Sequence, residues 1–395
     1  MDIDKRKIAV IGLGYVGWPL FKALTSKFTC WGLDSAPRKI DSLKKENPNL
    51  NITSNWNDIQ DCNFYFVAVP TPIDENNNPE ISSLKIVCEN LAPIIDKEDI
   101  IVFESTVYPG ATEEICIPII ESYSGLIINK DFFVGYSPER INVGDEIHQL
   151  VNTPKIVSGS NKYSCDIIKN VYESILSANV INASSIKIAE AAKMYENVQR
   201  DVLIALANEF SEFCRIENID VSEVTECAST KWNFSNVKPG LVGGHCIAVD
   251  PYYLINRAIQ KNIQLPLIKN AREINEQKVF LVAKRIERIL LNKGYNLSSV
   301  KVLLLGITYK NDVADCRNTK IPQIINLLKN NGINVYCYDP LASVDYIRSN
   351  YKIELIPDSE LTIENYDLVI KMVSHQIFEN QEFLNNTDYK LSDLL

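Results

Sequence analysis

The stretch IAVIGLGYVG, Ile8 to Gly17, decides the fold. Its first four residues are apolar and mostly β-branched, and they predict a buried strand. Gly12, Gly14 and Gly17 then form a GxGxxG pattern that opens a helix-compatible segment. The first glycine allows a tight turn, and the second lets a pyrophosphate approach the backbone. The third lets the helix pack close to the strand, and the helix N-terminus stabilises the phosphates. Asp34 stands about twenty residues further on, at the end of the next predicted strand, where a carboxylate binds an adenosine ribose diol. A lone glycine pattern is a weak signal and marks a turn without a ligand as readily. Strand, glycines, helix and acid together predict a nicotinamide or flavin dinucleotide. Asp34 would repel a 2′-phosphate and so favours NAD over NADP, although Arg38 and Lys39 close behind weaken that preference. Gly12, Gly14, Tyr15, Val16, Gly17, Asp34 and Lys39 are therefore the candidate cofactor-binding residues of this region.

Outward from this motif, the first third of the chain alternates short apolar runs with helical segments. Thr29–Asp34, Phe64–Pro70 and Asp99–Ser105 read as further buried strands of a parallel sheet covered on both faces. From about Ser184 the period changes to 3–4 residues, with no Pro or Gly for over thirty positions, which predicts one long helix or two joined with little break. A second helix is predicted from Leu267 to Asn292, stopped by Lys293-Gly294. Lys301–Tyr309, Ile333–Asp339 and Asp367–Val373 are again strand-like. The fold class expected is α/β: an N-terminal Rossmann-like doubly wound domain (1–183), a helical middle (184–295) and a smaller C-terminal Rossmann-like α/β domain (296–395).

Composition narrows the function classes. The 395 residues carry a net charge of −10, which argues against a nucleic-acid partner. The ten cysteines are scattered without a CxxC pair, so neither a disulfide framework nor a structural zinc site is expected. With only His148, His245 and His375, a histidine-rich metal centre is not available either. KRKIAVIGLGYVGWPL looks superficially like a signal peptide, but three glycines and a proline interrupt its apolar core. No run approaches the ~18 apolar residues of a membrane span. A cytoplasmic, reduced protein is expected.

One segment asks for chemistry: PGLVGGHCIAVDPYYL, Pro239 to Leu254. It reads as a loop around a nucleophilic thiol, as half of a metal site, or as an ordinary buried turn. Glycines before Cys246 let the backbone approach a ligand, and Asp250 lies four residues on. A nucleophilic thiol needs a nearby positive charge or base. Lys193 and Asn197, at i and i+4 on the predicted long helix, share a face and offer one. Alone they read equally as a solvated helix face. The metal reading fails for want of further ligands. A dinucleotide and a thiol together suggest aldehyde oxidation through a thiohemiacetal and thioester, and two successive hydride transfers if an alcohol is oxidised first.

Several segments together resemble the UDP-glucose/GDP-mannose dehydrogenase family of nucleotide-sugar 6-dehydrogenases. They are IAVIGLGYVGWPL, FVAVPTPID, ESTVYPGATEE, YSPERINVGD, EAAKMYENVQRDVLIALANE, TKWNFSNVKPGLVGGHCIAVDPYYL and LGITYKNDVADCRNTK, nearly the whole length. PGLVGGHCIAVDPYYL and TKWNF look like the bacterial UDP-N-acetylglucosamine/UDP-N-acetylgalactosamine 6-dehydrogenase branch, whose members serve capsule and O-antigen synthesis. The resemblance implies NAD as cofactor, a UDP-sugar substrate and a homodimer built on the long helix, and it makes the last domain a UDP-sugar-binding one. It makes Cys246 the nucleophile, with Lys193 and Asn197 stabilising the alkoxide and oxyanion. It assigns Asp250 to water and proton handling, Thr106 to ordering a water near the nicotinamide, and Glu139 to thioester hydrolysis. Thr71 lies along the cofactor. Lys310 and Arg317 contact the substrate pyrophosphate and the cofactor. Arg140, beside Glu139, and Gly243, in the cysteine loop, join the substrate-binding set. His245 is expected to shape the loop and do no chemistry.

Two departures from the family pattern stand out. UDP-glucose dehydrogenases carry a second glutamate four residues after the one matched by Glu139. Here that position is Val143, and a less polar pocket there suits an acetamido sugar. Family members often run further than Leu395, so an edge element of the last domain is expected to be missing or replaced. UDP-ManNAc and UDP-glucose remain alternative substrates. A single-step β-hydroxyacid dehydrogenase and a non-catalytic dinucleotide-binding protein are the rival classes.

Overall fold

The computed structural model describes residues 3–141, 144, 147, 149–379 and 387–395. Val143 and His148 lie outside the described residues. The chain divides into two compact units, Met1–Glu196 with Tyr252–Ile263, and Asn197–Pro251 with Gln264–Leu395.

Among the described residues the first unit is built on eight strands: β1 (Lys7–Ile11), β2 (Thr29–Leu33), β3 (Asn51–Thr53), β4 (Phe64–Val67), β5 (Ile100–Phe103), β6 (Phe133–Tyr136), β7 (Lys155–Gly159) and β8 (Val180–Asn182). Their order across the sheet is β3-β2-β1-β4-β5-β6-β7-β8. β7 pairs antiparallel with β6, and the other pairings are parallel. Every residue of β4, β5 and β6 is buried, as expected where helices cover both faces. Strand order reverses between β1 and β4, whose pairing starts at Ile8 opposite Phe64. Such a switch point opens a crevice at the carboxyl ends of the strands, where open α/β sheets bind ligands.

The glycine motif sits at the carboxyl end of β1. Gly12 has φ +91°, a conformation L side chains avoid. A β-carbon on Gly17 would lie 1.9 Å from the Gly12 carbonyl oxygen, so the helix Gly17–Thr25 can approach the strand only because that atom is absent.

The long helix is one uninterrupted element, Ile186–Ile216. Its residues through Glu196 belong to the first unit and the rest to the second. Its buried positions are unusually polar and include Glu190, Lys193, Asp201, Asn208 and Ser211. Within the second unit these find partners on the helix Pro266–Asn292. Arg272 donates to Asp201 at 2.9 Å, and Asn275 bonds both Asp201 and Asn208. Lys278 reaches Ser211 and Glu212. The same unit holds a smaller parallel sheet of β9 (Lys301–Leu305), β10 (Asn334–Tyr338), β11 (Leu368–Lys371) and β12 (Tyr389–Lys390), ordered β10-β9-β11-β12. The edge place in that sheet is taken by the two-residue β12.

The α/β fold, with a large, mostly parallel sheet, a smaller parallel sheet and one long central helix, is thus as the sequence implies. Short strands β3, β6, β7, β8 and β12 lie outside the strands expected from the sequence. They are brief, or interrupted by Gly and charged residues, and carry little periodicity of their own.

The glycine geometry gives a graded prediction. Gly17→Ala should cost about 1–3 kcal/mol, because the new methyl overlaps the backbone. Gly14→Ala, whose β-carbon meets nothing within 4 Å, should stay within about 0.5 kcal/mol of the parent. Chemical denaturation midpoints of the two variants check this.

Candidate active site

The dinucleotide cradle forms in the first unit. The Leu13 N–H donates to Asp34 Oδ2 at 2.9 Å and the Ala36 N–H to Oδ1 at 3.0 Å. Lys39 Nζ lies 2.7 Å from Oδ2. Burial pushes the Asp34 carboxyl up, but Lys39 and the two backbone donors outweigh it and hold it below the ordinary range. Space is open above Gly14, while β-carbons at Gly12 and Gly17 would collide with backbone. An open second glycine between two closed ones is what a pyrophosphate lying on this turn requires. The residues therefore fit a bound dinucleotide. Tyr15 is exposed and Val16 half-buried at the lip of the turn. On the β4 side of the switch point the Thr71 hydroxyl donates to the Thr106 carbonyl at 2.7 Å, and Ser105 Oγ donates to Val69 O at 2.8 Å. Tyr253 donates to the carbonyls of Thr71 and Pro72. The loops after β4 and β5 are thereby laced together.

Beneath these loops lies a buried charge cluster. Lys155 is 2% exposed, an unusual place for a lysine in a strand. Its ammonium lies 3.1 Å from Glu104 and 3.2 Å from Glu139. The Tyr172 hydroxyl also donates to Glu104. Glu139 Oε1 accepts the backbone N–H groups of Arg140 and Ile141, each at 2.6 Å. One ammonium cannot neutralise two carboxylates in a dry interior, so their environments part them. Burial raises both, but Lys155 and the two N–H donors bring Glu139 below the usual carboxylate range. Burial, together with the neighbouring Glu139 charge, leaves Glu104 pushed up to about 7 despite Lys155. Lys193, itself buried, donates to the Glu139 carbonyl at 2.6 Å. Arg140 reaches Glu196 at 2.8 Å and the Pro154 carbonyl at 3.0 Å.

A second set of residues gathers in the second unit. Gly243 and Gly244 lie against Asn318, Thr319 and the Tyr309 side chain. A β-carbon on Gly243 would meet the Asn318 carbonyl at 2.8 Å, and one on Gly244, at φ +76°, would touch the Tyr309 ring at 3.0 Å. Asn318 Nδ2 donates to the Gly244 carbonyl at 2.8 Å. The chain then turns so that the Asp250 N–H donates to the Cys246 carbonyl at 2.9 Å. Asp250 opens the helix Asp250–Gln260, and its carboxylate accepts a hydrogen bond from Asn197. Cys246 is half-buried. Arg317 grips Asp315 through Nε at 2.9 Å, and Lys310 is half-buried with its carbonyl bonded to the Thr308 hydroxyl.

Among the predicted residues, the first unit thus joins Gly12, Gly14 and Gly17 with Asp34 and Lys39, Thr71 with Thr106, and Glu139 with Arg140 and Lys193. The second joins Asn197 with Asp250, and places Gly243 and Arg317 beside the cysteine loop. Sequence reasoning missed Lys155 as the partner of Glu139, and with it Glu104 and Tyr172, which join the same cluster through Lys155 and through each other. A lysine inside the apolar strand KIVSG was the available signal. It also missed Asp315, the residue between Arg317 and His245.

Comparison with known proteins accords with this geometry. Residues 6–176 match the NAD binding domain of the UDP-glucose/GDP-mannose dehydrogenase family, 187–277 its central domain and 303–390 its UDP binding domain. The chain is 43% identical over 391 residues to protein CapL of Staphylococcus aureus, covering 95% of this chain and 92% of that protein. It is 41% identical, with the same coverage, to the UDP-N-acetyl-D-glucosamine 6-dehydrogenase of Salmonella typhi. The solved UDP-D-ManNAc dehydrogenase of Pyrococcus horikoshii superposes with a TM-score of 0.87 at 28% identity, covering 97% of this chain and 94% of that one. The chain belongs to the UDP-glucose/GDP-mannose dehydrogenase family, and it is an NAD-dependent nucleotide-sugar dehydrogenase.

The buried cluster predicts a large stability effect. Lys155→Met strands two carboxyls without their cation and should cost about 3–5 kcal/mol. Adding Glu104→Gln should recover part of that loss. A double-mutant cycle in denaturant measures the coupling.

Proposed function

We propose that this member of the family oxidises the C6 hydroxymethyl of a UDP-N-acetylhexosamine, UDP-GlcNAc or UDP-GalNAc, to the uronic acid for surface polysaccharide synthesis. The observation that carries the cysteine route is the setting of Cys246. Eight of the ten cysteines are buried, whereas Cys246 is half-buried on a glycine loop whose geometry is enforced from both sides. The N-acetylhexosamine reading is supported by the 41% identity to the Salmonella typhi protein.

When bound, NAD accepts the hydrides. The protein's own groups do the rest. Lys193 and Asn197 stabilise negative charge on the C6 oxygen. Cys246 adds to the aldehyde to form a thiohemiacetal, whose oxidation leaves a thioester. Asp250 takes protons and Thr106 orders water near the reacting carbon. Glu139, ionised beside Lys155, assists thioester hydrolysis. Lys310 and Arg317 hold the diphosphates, where cations bind phosphate oxygens strongly. The protein works in the cytoplasm. It forms a homodimer through the long helix, a reading supported by exposed Leu206, Phe210 and Phe213 at helical spacing on it.

Alcohol to acid is a four-electron change, so about two NADH should form per UDP-GlcNAc or UDP-GalNAc consumed. UDP-ManNAc and UDP-glucose complete the substrate panel, and a preference for either replaces the sugar assignment. Cys246→Ser should lower turnover by about three orders of magnitude and leave a trapped adduct visible by intact mass. Full-rate NADH production by Cys246→Ala would instead establish single-step β-hydroxyacid-type chemistry. No NAD reduction with any of these sugars would favour a binding protein.

A further inference from the structure

The imidazole of His245 lies between two groups of the second unit. Its Nδ1 is 3.4 Å from Cys246 Sγ, and its Nε2 is 3.3 Å from Asp315 Oδ2. Asp315 is itself fixed. It accepts the Arg317 backbone N–H at 2.9 Å, and the Arg317 guanidinium lies along both carboxylate oxygens. The Tyr309 ring flanks the imidazole, with centroids 6.0 Å apart and planes at 56°. The backbone before the ring is fixed, because Gly244 lies against the Tyr309 ring and its carbonyl accepts from Asn318. A ring with a carboxylate within ion-pair distance of one nitrogen and a thiol beside the other is the arrangement in which a base activates a nucleophile and a third group orients the base.

We propose that His245 is the base that ionises Cys246, with Asp315 holding the resulting imidazolium in place. This replaces the expectation that His245 only shapes the loop. It rests on the reading of Cys246 as the nucleophile and deepens it. In the step, the Sγ proton passes to Nδ1. The sulfur lone pair then forms the C–S bond to the C6 aldehyde carbon, and the carbonyl π pair moves onto oxygen. The imidazolium proton returns, directly or through water, to that alkoxide. The product is a neutral thiohemiacetal, and no electrons leave the pair.

The charged and titratable groups acting on His245 are Asp315, Cys246 and Arg317, and the Tyr309 ring flanks it. Burial lowers the imidazole's basicity and Arg317 opposes its charge, but Asp315 and Cys246 outweigh them and raise it to about 9. The imidazolium formed when His245 takes the Sγ proton is therefore the favoured form of the ring through neutral pH, and it reverts to the imidazole as the pH rises through about 9. The folded value is above the ordinary one, so the stabilisation from the Asp315 contact is complete below the usual histidine range and lost over the same rise. Asp315 is held far below the ordinary carboxylate range, so the acceptor stays charged throughout.

The test is alkylation of Cys246 by iodoacetamide in the full chain, quantified on its own peptide by mass spectrometry. His245→Asn should slow labelling about tenfold at pH 7, the effect of roughly one pK unit of lost activation. At about pH 10, where thiols ionise unaided, variant and parent should label alike. Asp315→Asn should slow labelling at pH 7 in the same direction by a smaller factor, and serves if His245→Asn does not fold. Labelling at the parent's rate at pH 7 overturns the proposal. So does an equal slowing at both pH values, which would report access and not ionisation. Because the assay contains no sugar or NAD, it is separate from the NADH stoichiometry. The proposed reaction can fail while the thiol–imidazole pair stands, and the reverse.

Discussion

One buried ammonium organises the strand ends of the first unit. Lys155 leaves β7 and meets Glu104, just past β5, and Glu139, just past β6. Tyr172 from the helix Lys162–Ile175 closes on Glu104, and Lys193 from the long helix closes on the Glu139 carbonyl. Three strand ends and two helices are therefore tied through a few polar atoms deep in the interior. In such surroundings an unpaired charge is costly, so every member holds the others in place. The cost of burying the cluster is offset by the hydrophobic strands around it, which are fully buried in β4, β5 and β6.

The same cluster separates two chemically identical groups. Glu139 has the ammonium and two N–H donors, and Glu104 has a share of the ammonium and a tyrosine hydroxyl. One is held charged and the other is drawn towards the neutral form. Differences of this kind assign roles to paired carboxyls in enzymes generally. They arise here from backbone placement: the turn after β6 aims two amides at Glu139, while Glu104 meets side chains alone.

The parts legible in the sequence were those with a local code. The glycines of Ile8–Gly17, the acid at position 34 and the 3–4 periodicity after Ser184 each state their structure within a few residues, and the structure agrees on the turn, the strand end and the unbroken helix. The resemblance to a family supplied the pairing of distant segments that local patterns cannot. What escaped was long-range and polar. Lys155 is separated from Glu104 by 51 residues, and His245 from Asp315 by two helices and a strand. Nothing in the local spelling of KIVSG or GGHC names a partner. An ion pair is visible only after the sheet has set which strand ends are neighbours.

The helices Ile186–Ile216 and Pro266–Asn292 meet in the second unit through Asp201–Arg272, Asn208–Asn275 and Ser211–Lys278. An interface of leucines tolerates sliding by a turn, because one apolar contact resembles another. This one does not. A slip of about 5.4 Å would set every one of these polar groups against the wrong neighbour and leave buried charge unanswered. The pair works as a lock and its key: the alignment is read in donors and acceptors, and a misaligned assembly is rejected by electrostatics before packing has any say.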